Sequence, residues 1–220
     1  MFSRTEKLIG KESMEKLKKA NIIVFGAGGV GSYAIEALVR AGISNITVVD
    51  NDSVSESNIN RQLIALNSTV GKLKTDVVKE RILDINPQCN VTVMPIFYDE
   101  NTEIDFTEYN FIVDCIDSVK SKIHLIKCAK EENVKIISAL GTGNKICPEK
   151  LEIADIKDTS YCPLAKKVRT LLKKEGIYDL PCVYSKEESI KTEGVPASIS
   201  FVPSCAGLLM ASYVIRELIK

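Results

Sequence analysis

Residues 21–50, NIIVFGAGGVGSYAIEALVRAGISNITVVD, leave this chain few folds to choose from. The first five are mostly β-branched or aromatic and read as a buried strand. A glycine-rich run follows, Gly26-Ala27-Gly28-Gly29-Val30-Gly31, then an alanine-rich helical run to Ala41. A second apolar strand over 46–49 ends in Asp50. Strand, glycine turn, helix and strand make a βαβ unit with nucleotide-binding glycine spacing at Gly26, Gly28 and Gly31. Gly26 permits the turn out of the strand, Gly28 lets the backbone approach a phosphate or ribose, and Gly31 lets the helix pack closely on the sheet. The helix N-terminus offers unpaired N–H groups to an anion. Asp50 stands 19 positions after Gly31, at a strand's carboxyl end, where it can accept hydrogen bonds from both ribose hydroxyls. The unit points to a nucleotide without separating a dinucleotide from ATP.

At 220 residues the chain reads as one domain. Its formal net charge is zero, so no global electrostatic case exists for nucleic acid, although a local patch is still allowed. The start, MFSRTEKLIG, lacks a signal-peptide core, and no uninterrupted apolar run is long enough for a membrane span. Seven cysteines, an odd number with no CxxC pair, fit a reduced cytoplasmic protein better than a disulfide scaffold or a four-thiolate zinc site. The single histidine, His124, falls in a helical pattern and gives little support to a histidine metal centre or a Ser-His-Asp triad.

Residues 3–20 show helical spacing at Leu8, Ile9, Met14 and Leu17. After Asp50 a polar stretch carries Asp52, Asn58, Asn60, Arg61 and Gln62 at the sheet edge where α/β ligands bind. A helix over 71–85 follows with an apolar face of Leu73, Val77, Val78, Ile82 and Ile85. Lys74 lies in its first turn, where a cation gains nothing from the helix dipole. Strands are expected over 91–94, 111–113, 134–139, 151–156 and 181–185, with helices over 119–131, 163–175 and 203–218. The strand at 111–113 delivers Asp114 and Asp117 to the same edge, and Asp117 is placed for magnesium or for water-mediated phosphate contact. The loop 141–144 lies above that edge and faces a second substrate. The helix at 163–175 bears Lys166, Lys167, Arg169, Lys173 and Lys174, a solvated face or a phosphate-backbone contact.

Taken together, Arg4, GAGGVG at 26–31, Asp50 with Asp52, SNINRQ at 57–62, GKLK at 71–74 and DCIDS at 114–118 resemble the E1-like adenylating superfamily, the ThiF and MoeB group. Gly29 gives the GxGGxG form typical of it. The resemblance implies an α/β, Rossmann-like fold with a mostly parallel sheet, flanking helices and an E1-like C-terminal extension of the same domain. Residues 1–146 would form the nucleotide-binding core and 147–220 the substrate and dimer portion. It also implies ATP adenylation of a carboxylate rather than hydride transfer. Asp50 would hold the ribose, and Asp52 would lie near the reacting end. Asn58, Arg61 and Lys74 would bind the triphosphate beside Gln62, Asp117 would organise Mg²⁺, and Arg4 would reach the phosphates across a homodimer interface.

The missing CxxC pairs, INPQC at 85–89, DSVKSK at 117–122, PCVYS at 181–185 and SFVPSCAGLLMAS at 200–212 are similar to one subgroup, the tRNA threonylcarbamoyladenosine dehydratases (TcdA, also CsdL). That resemblance implies a tRNA carrying threonylcarbamoyladenosine at position 37 as the partner. It leaves a sulfur-transfer partner protein open and gives Cys182 a structural role. Three rivals keep the same motifs: activation of the C-terminal glycine of a ubiquitin-fold sulfur carrier, an NAD-dependent oxidoreductase, and a non-catalytic nucleotide-binding scaffold. The oxidoreductase leaves Arg61 and Lys74 unexplained.

Overall fold

The structure, a computed structural model, describes residues 1–194 and 196–220. Seven strands form one sheet: β1 (Asn21–Phe25), β2 (Asn45–Val49), β3 (Asn90–Met94), β4 (Phe111–Asp114), β5 (Lys135–Ala139), β6 (Leu151–Asp155) and β7 (Pro181–Ser185). Their order is β3-β2-β1-β4-β5-β7-β6. All neighbours are parallel except β6, which runs antiparallel to β7. The chain winds outward from β1 to β3, then returns to place β4 on the other side of β1. That reversal opens a crevice at the carboxyl ends of β1 and β4, the usual ligand position in such sheets.

Alternation along β1 divides the core. Ile22 and Val24 point to one layer, with Met14, Leu17, Leu38, Ile82 and Met210. Ile23 and Phe25 point to the other, with Leu125, Ile126, Val168 and Leu172. The first layer is covered by α2 (Lys11–Lys19), α3 (Gly31–Ala41), α4 (Lys74–Ile85) and α7 (Phe201–Ile219). The second is covered by α5 (Val119–Glu131) and α6 (Pro163–Lys174). By length and composition α7 could cross a membrane. Here it packs on α3 and the sheet, with Val202, Ala206, Met210 and Val214 buried. Gly207 sets that contact, since a Cβ there would sit 2.3 Å from the Val30 carbonyl oxygen.

Three local expectations are corrected. The helical run at 3–20 is two helices, α1 (Ser3–Ile9) and α2, because Gly10 adopts φ +85° between them. Leu73 is not on the apolar face of α4; it precedes the helix in extended backbone and is exposed. The last helix starts at Phe201, which places Pro203 inside its first turn, where a missing N–H costs nothing.

Candidate functional site

The glycine loop is built from two kinds of constraint. Gly26 has φ +89°, and a Cβ on it would come within 2.8 Å of the Cys115 carbonyl oxygen. A Cβ on Gly31 would stand 1.8 Å from the Gly26 carbonyl oxygen. Those two glycines are required by the fold. Gly28 is different: the nearest atom to a Cβ there is Gln62 Nε2, at 3.7 Å. No neighbour forbids a side chain at Gly28, so the loop keeps open a cradle that a ligand can enter.

Asp50 leaves the end of β2 and is fixed from two directions. Its Oδ2 accepts the Ala27 N–H at 2.7 Å, and its Oδ1 accepts the Asp52 N–H at 2.9 Å. The carboxylate is thus oriented by the glycine loop itself, with lone pairs left for further donors. The polar stretch after it folds back onto α4. Val54 N–H donates to the Lys72 carbonyl, Lys74 N–H donates to the Asp52 carbonyl, and Ser53 bridges Leu73. This return puts the first residue of α4 beside the end of β2. Lys74 Nζ lies 2.6 Å from Asp52 Oδ2 and 3.9 Å from Asp50 Oδ1. The lysine side chain is only 6% exposed while Asp52 is 59% exposed, so the ammonium is sheltered and its counter-ion is open to exchange.

Asn58 is buried in a short turn where its Oδ1 accepts the Ser55 N–H at 3.0 Å. Arg61 Nη1 donates to the Ser57 carbonyl and to Asn60 Oδ1, both at 2.8 Å. Its Cγ lies 3.4 Å from the Cβ position of Gly29, so the guanidinium stem rests on the glycine loop. Gln62 is buried, and its Oε1 has no hydrogen-bond partner among the described residues. An orphaned acceptor beside an open glycine cradle suits a ligand with donors and a phosphate chain.

Beyond β4, Cys115 N–H donates to the Phe25 carbonyl at 2.8 Å, which ties the DCIDS loop against the glycine turn. Asp117 is exposed two residues later. Among the described residues no three His, Cys, Asp or Glu side chains converge as a metal cage. A single exposed carboxylate fits the donor set of a largely hydrated Mg²⁺.

The structure therefore brings together Gly26, Gly28, Gly29, Gly31, Asp50, Asp52, Arg61, Gln62 and Lys74 at one crevice, with Asn58 in the turn beneath and Asp117 in the adjoining loop. Arg4 is not among them. It lies with Arg40 and Ile85, at the far ends of α3 and α4. The length of α4 puts Ile85 about 17 Å from Lys74. Within one chain, Arg4 is at the opposite end of α3 and α4 from the crevice.

A match to the ThiF family covers residues 2–220. The chain belongs to the ThiF family. Within this family it is 43% identical to the tRNA threonylcarbamoyladenosine dehydratase of Bacillus subtilis, covering all of this chain and 94% of that protein. The crystal structure of the Escherichia coli tRNA N6-threonylcarbamoyladenosine dehydratase TcdA in complex with ATP superposes with a TM-score of 0.91 at 33% identity. It covers 99% of this chain and 93% of that one. Another relative, the adenylyltransferase and sulfurtransferase UBA4 of Saccharomyces cerevisiae, is 36% identical over 62% of this chain and 31% of its own length.

Two features of this ThiF-family chain escaped the sequence reading. Asp114, at the end of β4, pairs with Lys122 at 2.6 Å, and both side chains are fully buried. Asp114 Oδ1 also accepts the Ile116 N–H at 3.1 Å, so the pair braces the loop that carries Asp117. The signal was present: Lys122 shares the helical stripe of Leu125, Ile126 and Ala129, a position for an apolar residue. The second is Lys145, buried with its ammonium donating to the Glu187 carbonyl and to Ser189 Oγ. Burial raises the Glu187 pKa, but the Ile146 and Cys147 amides and Lys145 more than offset this and hold it below the usual carboxylate range. These contacts tie the loop above β5 to the segment after β7.

Arg169 is removed from the proposed phosphate-contact surface. Its Nη1 turns inward to the carbonyls of Ile156 and Thr159, at 3.1 and 3.0 Å. His124 is structural, with Nδ1 3.0 Å from Tyr98 Oη.

Proposed function

We propose that this chain uses ATP to adenylate the carboxylate of N6-threonylcarbamoyladenosine in tRNA, then closes that side chain into a ring with net loss of water. The observation that carries this reading is the end-to-end likeness to the Bacillus subtilis dehydratase at 43% identity, set against likenesses to UBA4 proteins at 35–36% identity that cover 62–71% of the chain.

In this reading Gly28 and Gly29 admit the phosphate chain, Asp50 receives the ribose hydroxyls and Gln62 supplies its unpaired acceptor. Attack of the threonyl carboxylate on the α-phosphorus builds negative charge on the phosphoryl oxygens and on the departing pyrophosphate. Lys74 and Arg61 donate to that charge, Lys74 by exchanging its Asp52 contact for a phosphate oxygen, with Asn58 supporting the turn that carries Arg61. Asp117 would hold Mg²⁺, which when bound withdraws electron density from the same oxygens. The ureido group then attacks the activated carbonyl and expels AMP. Because both reacting groups sit on one side chain, the step has a large effective concentration and requires no enzyme nucleophile. Cys182 has no part in it. Its Sγ donates to the Ala154 carbonyl, and burial pushes its thiol pKa up to about 12.

Residues 1–146 carry the nucleotide in this account, and 147–220 supply substrate contacts and the interface of a homodimer. A second copy is what would bring Arg4 to the phosphates. A tRNA substrate supports the reading of a cytoplasmic protein.

The test is incubation of the protein with ATP, Mg²⁺ and tRNA bearing the modification, followed by mass spectrometry of the nucleosides. The expected product has lost one water, with AMP and pyrophosphate formed in equal amounts. Pyrophosphate release that requires a ubiquitin-fold carrier and not tRNA would establish the sulfur-carrier reading instead.

A further inference from the structure

An aromatic ring stands exposed beside the acceptor end of the site, its side chain making no hydrogen bond among the described residues. Three non-glycine residues among those described have positive φ: Asn133, Asn144 and Tyr161. Asparagine tolerates that region because its short side chain bonds locally, and Asn144 does so, its Oδ1 accepting the Ala197 N–H at 2.6 Å. Tyr161, at φ +54°, has no such excuse. The residue is 66% exposed, so little apolar burial offsets the strained backbone.

The position is fixed by its neighbour. Cys162 is buried, caps α6 by accepting the Ala165 N–H, and its Sγ lies 2.9 Å from the Cβ position of Gly141. Gly141 follows β5 at the edge that also carries the glycine loop, and β5 is two strands from β1, about 10 Å. Behind Tyr161, α6 contains five basic residues and no acid. Lys166, Lys167, Lys173 and Lys174 are exposed, the second pair about 10 Å along the helix from the first. The acid that follows α6 in sequence, Glu175, pairs with Lys127. In a chain of zero net charge, this concentrates cations along one exposed helix.

We propose that Tyr161 is a stacking platform for a base of the anticodon loop beside the modified adenosine, with the α6 lysines holding the adjoining phosphates. The proposal rests on the tRNA reading above and names where that substrate sits. Loop bases are unstacked and available to aromatic faces, and one such contact is typically worth a tenfold or larger change on truncation to alanine.

The test compares wild type, Tyr161→Phe and Tyr161→Ala on modified tRNA and on the free modified nucleoside, with the ATP KM measured in each. Expected results are a tRNA KM raised about tenfold or more in Tyr161→Ala, near-wild-type behaviour in Tyr161→Phe, and unchanged ATP KM and nucleoside rates throughout. Tyr161→Gly, which relieves the backbone, should melt at a higher temperature than wild type and share the tRNA defect. If wild type converts tRNA and Tyr161→Ala does so equally well, the stacking proposal alone falls. If wild type converts no tRNA, the functional reading falls and takes the proposal with it. A loss of dimer in Tyr161→Ala would place the ring between protein copies and overturn it too.

Discussion

Lys74→Ala is expected to slow tRNA-dependent pyrophosphate release by about 10²–10³-fold, the usual loss when one fixed donor to developing charge is removed. The fold should barely notice. Lys74 is sheltered, but its closer partner Asp52 is 59% exposed and becomes an ordinary solvated carboxylate once the lysine is gone. The nearly buried Asp50, 3.9 Å from the ammonium, loses that cation but keeps the Ala27 and Asp52 N–H groups as donors. The backbone bond from Lys74 N–H to the Asp52 carbonyl does not involve the side chain and persists. The variant should therefore unfold at nearly the wild-type urea concentration while its kcat collapses. A large loss of stability with kcat retained in the folded fraction would mean that Lys74 serves the fold and not the phosphates.

Lys122→Met is expected to do the reverse. Both partners of the Asp114–Lys122 pair are inaccessible to water, so removing the cation strands a buried carboxylate. Breaking such a pair on one side typically costs about 3–5 kcal/mol. In a chain of this length that lowers the melting temperature on the order of 10 °C. The double variant Asp114→Leu/Lys122→Met should recover most of the loss, because a well-packed apolar pair avoids the desolvation that the ion pair has to overcome. Recovery stays incomplete, since the Ile116 N–H loses its acceptor. Urea unfolding of wild type, single and double variants measures this directly. Equal stability of Lys122→Met and wild type would show that water reaches Asp114.

Much of the architecture was legible before any coordinates, for reasons that differ by element. A continuous β-branched and aromatic run located β1, because that strand is buried against both core layers, and the alanine-rich run after the glycines located α3. The glycine turn was legible because backbone contact at Gly26 and Gly31 excludes other residues. The break at Gly10 was missed because the apolar spacing of Leu8, Ile9, Met14 and Leu17 runs on through it. Among site residues, Asp50, Asp52, Arg61, Gln62 and Lys74 come from one polar stretch and the helix that follows, so linear proximity stood in for spatial proximity. The link from Asp114 to Lys122 crosses a loop and a helix turn, and α6 was read as a row of equal charges. Only the fold shows that Arg169 faces inward while the lysines stay in water. Tyr161 had no pattern to announce it, since its significance lies in a backbone angle.

The central claim is that a carboxylate of the modified nucleoside attacks the α-phosphorus of ATP held at this crevice. The direct measurement uses tRNA whose threonyl carboxylate carries oxygen-18, with mass spectrometry of the AMP released. One labelled oxygen is expected in AMP, because the attacking oxygen becomes the bridge to phosphorus and departs with it when the ring closes. AMP of natural mass, with the label retained wholly in the nucleoside or released as water, would contradict the account.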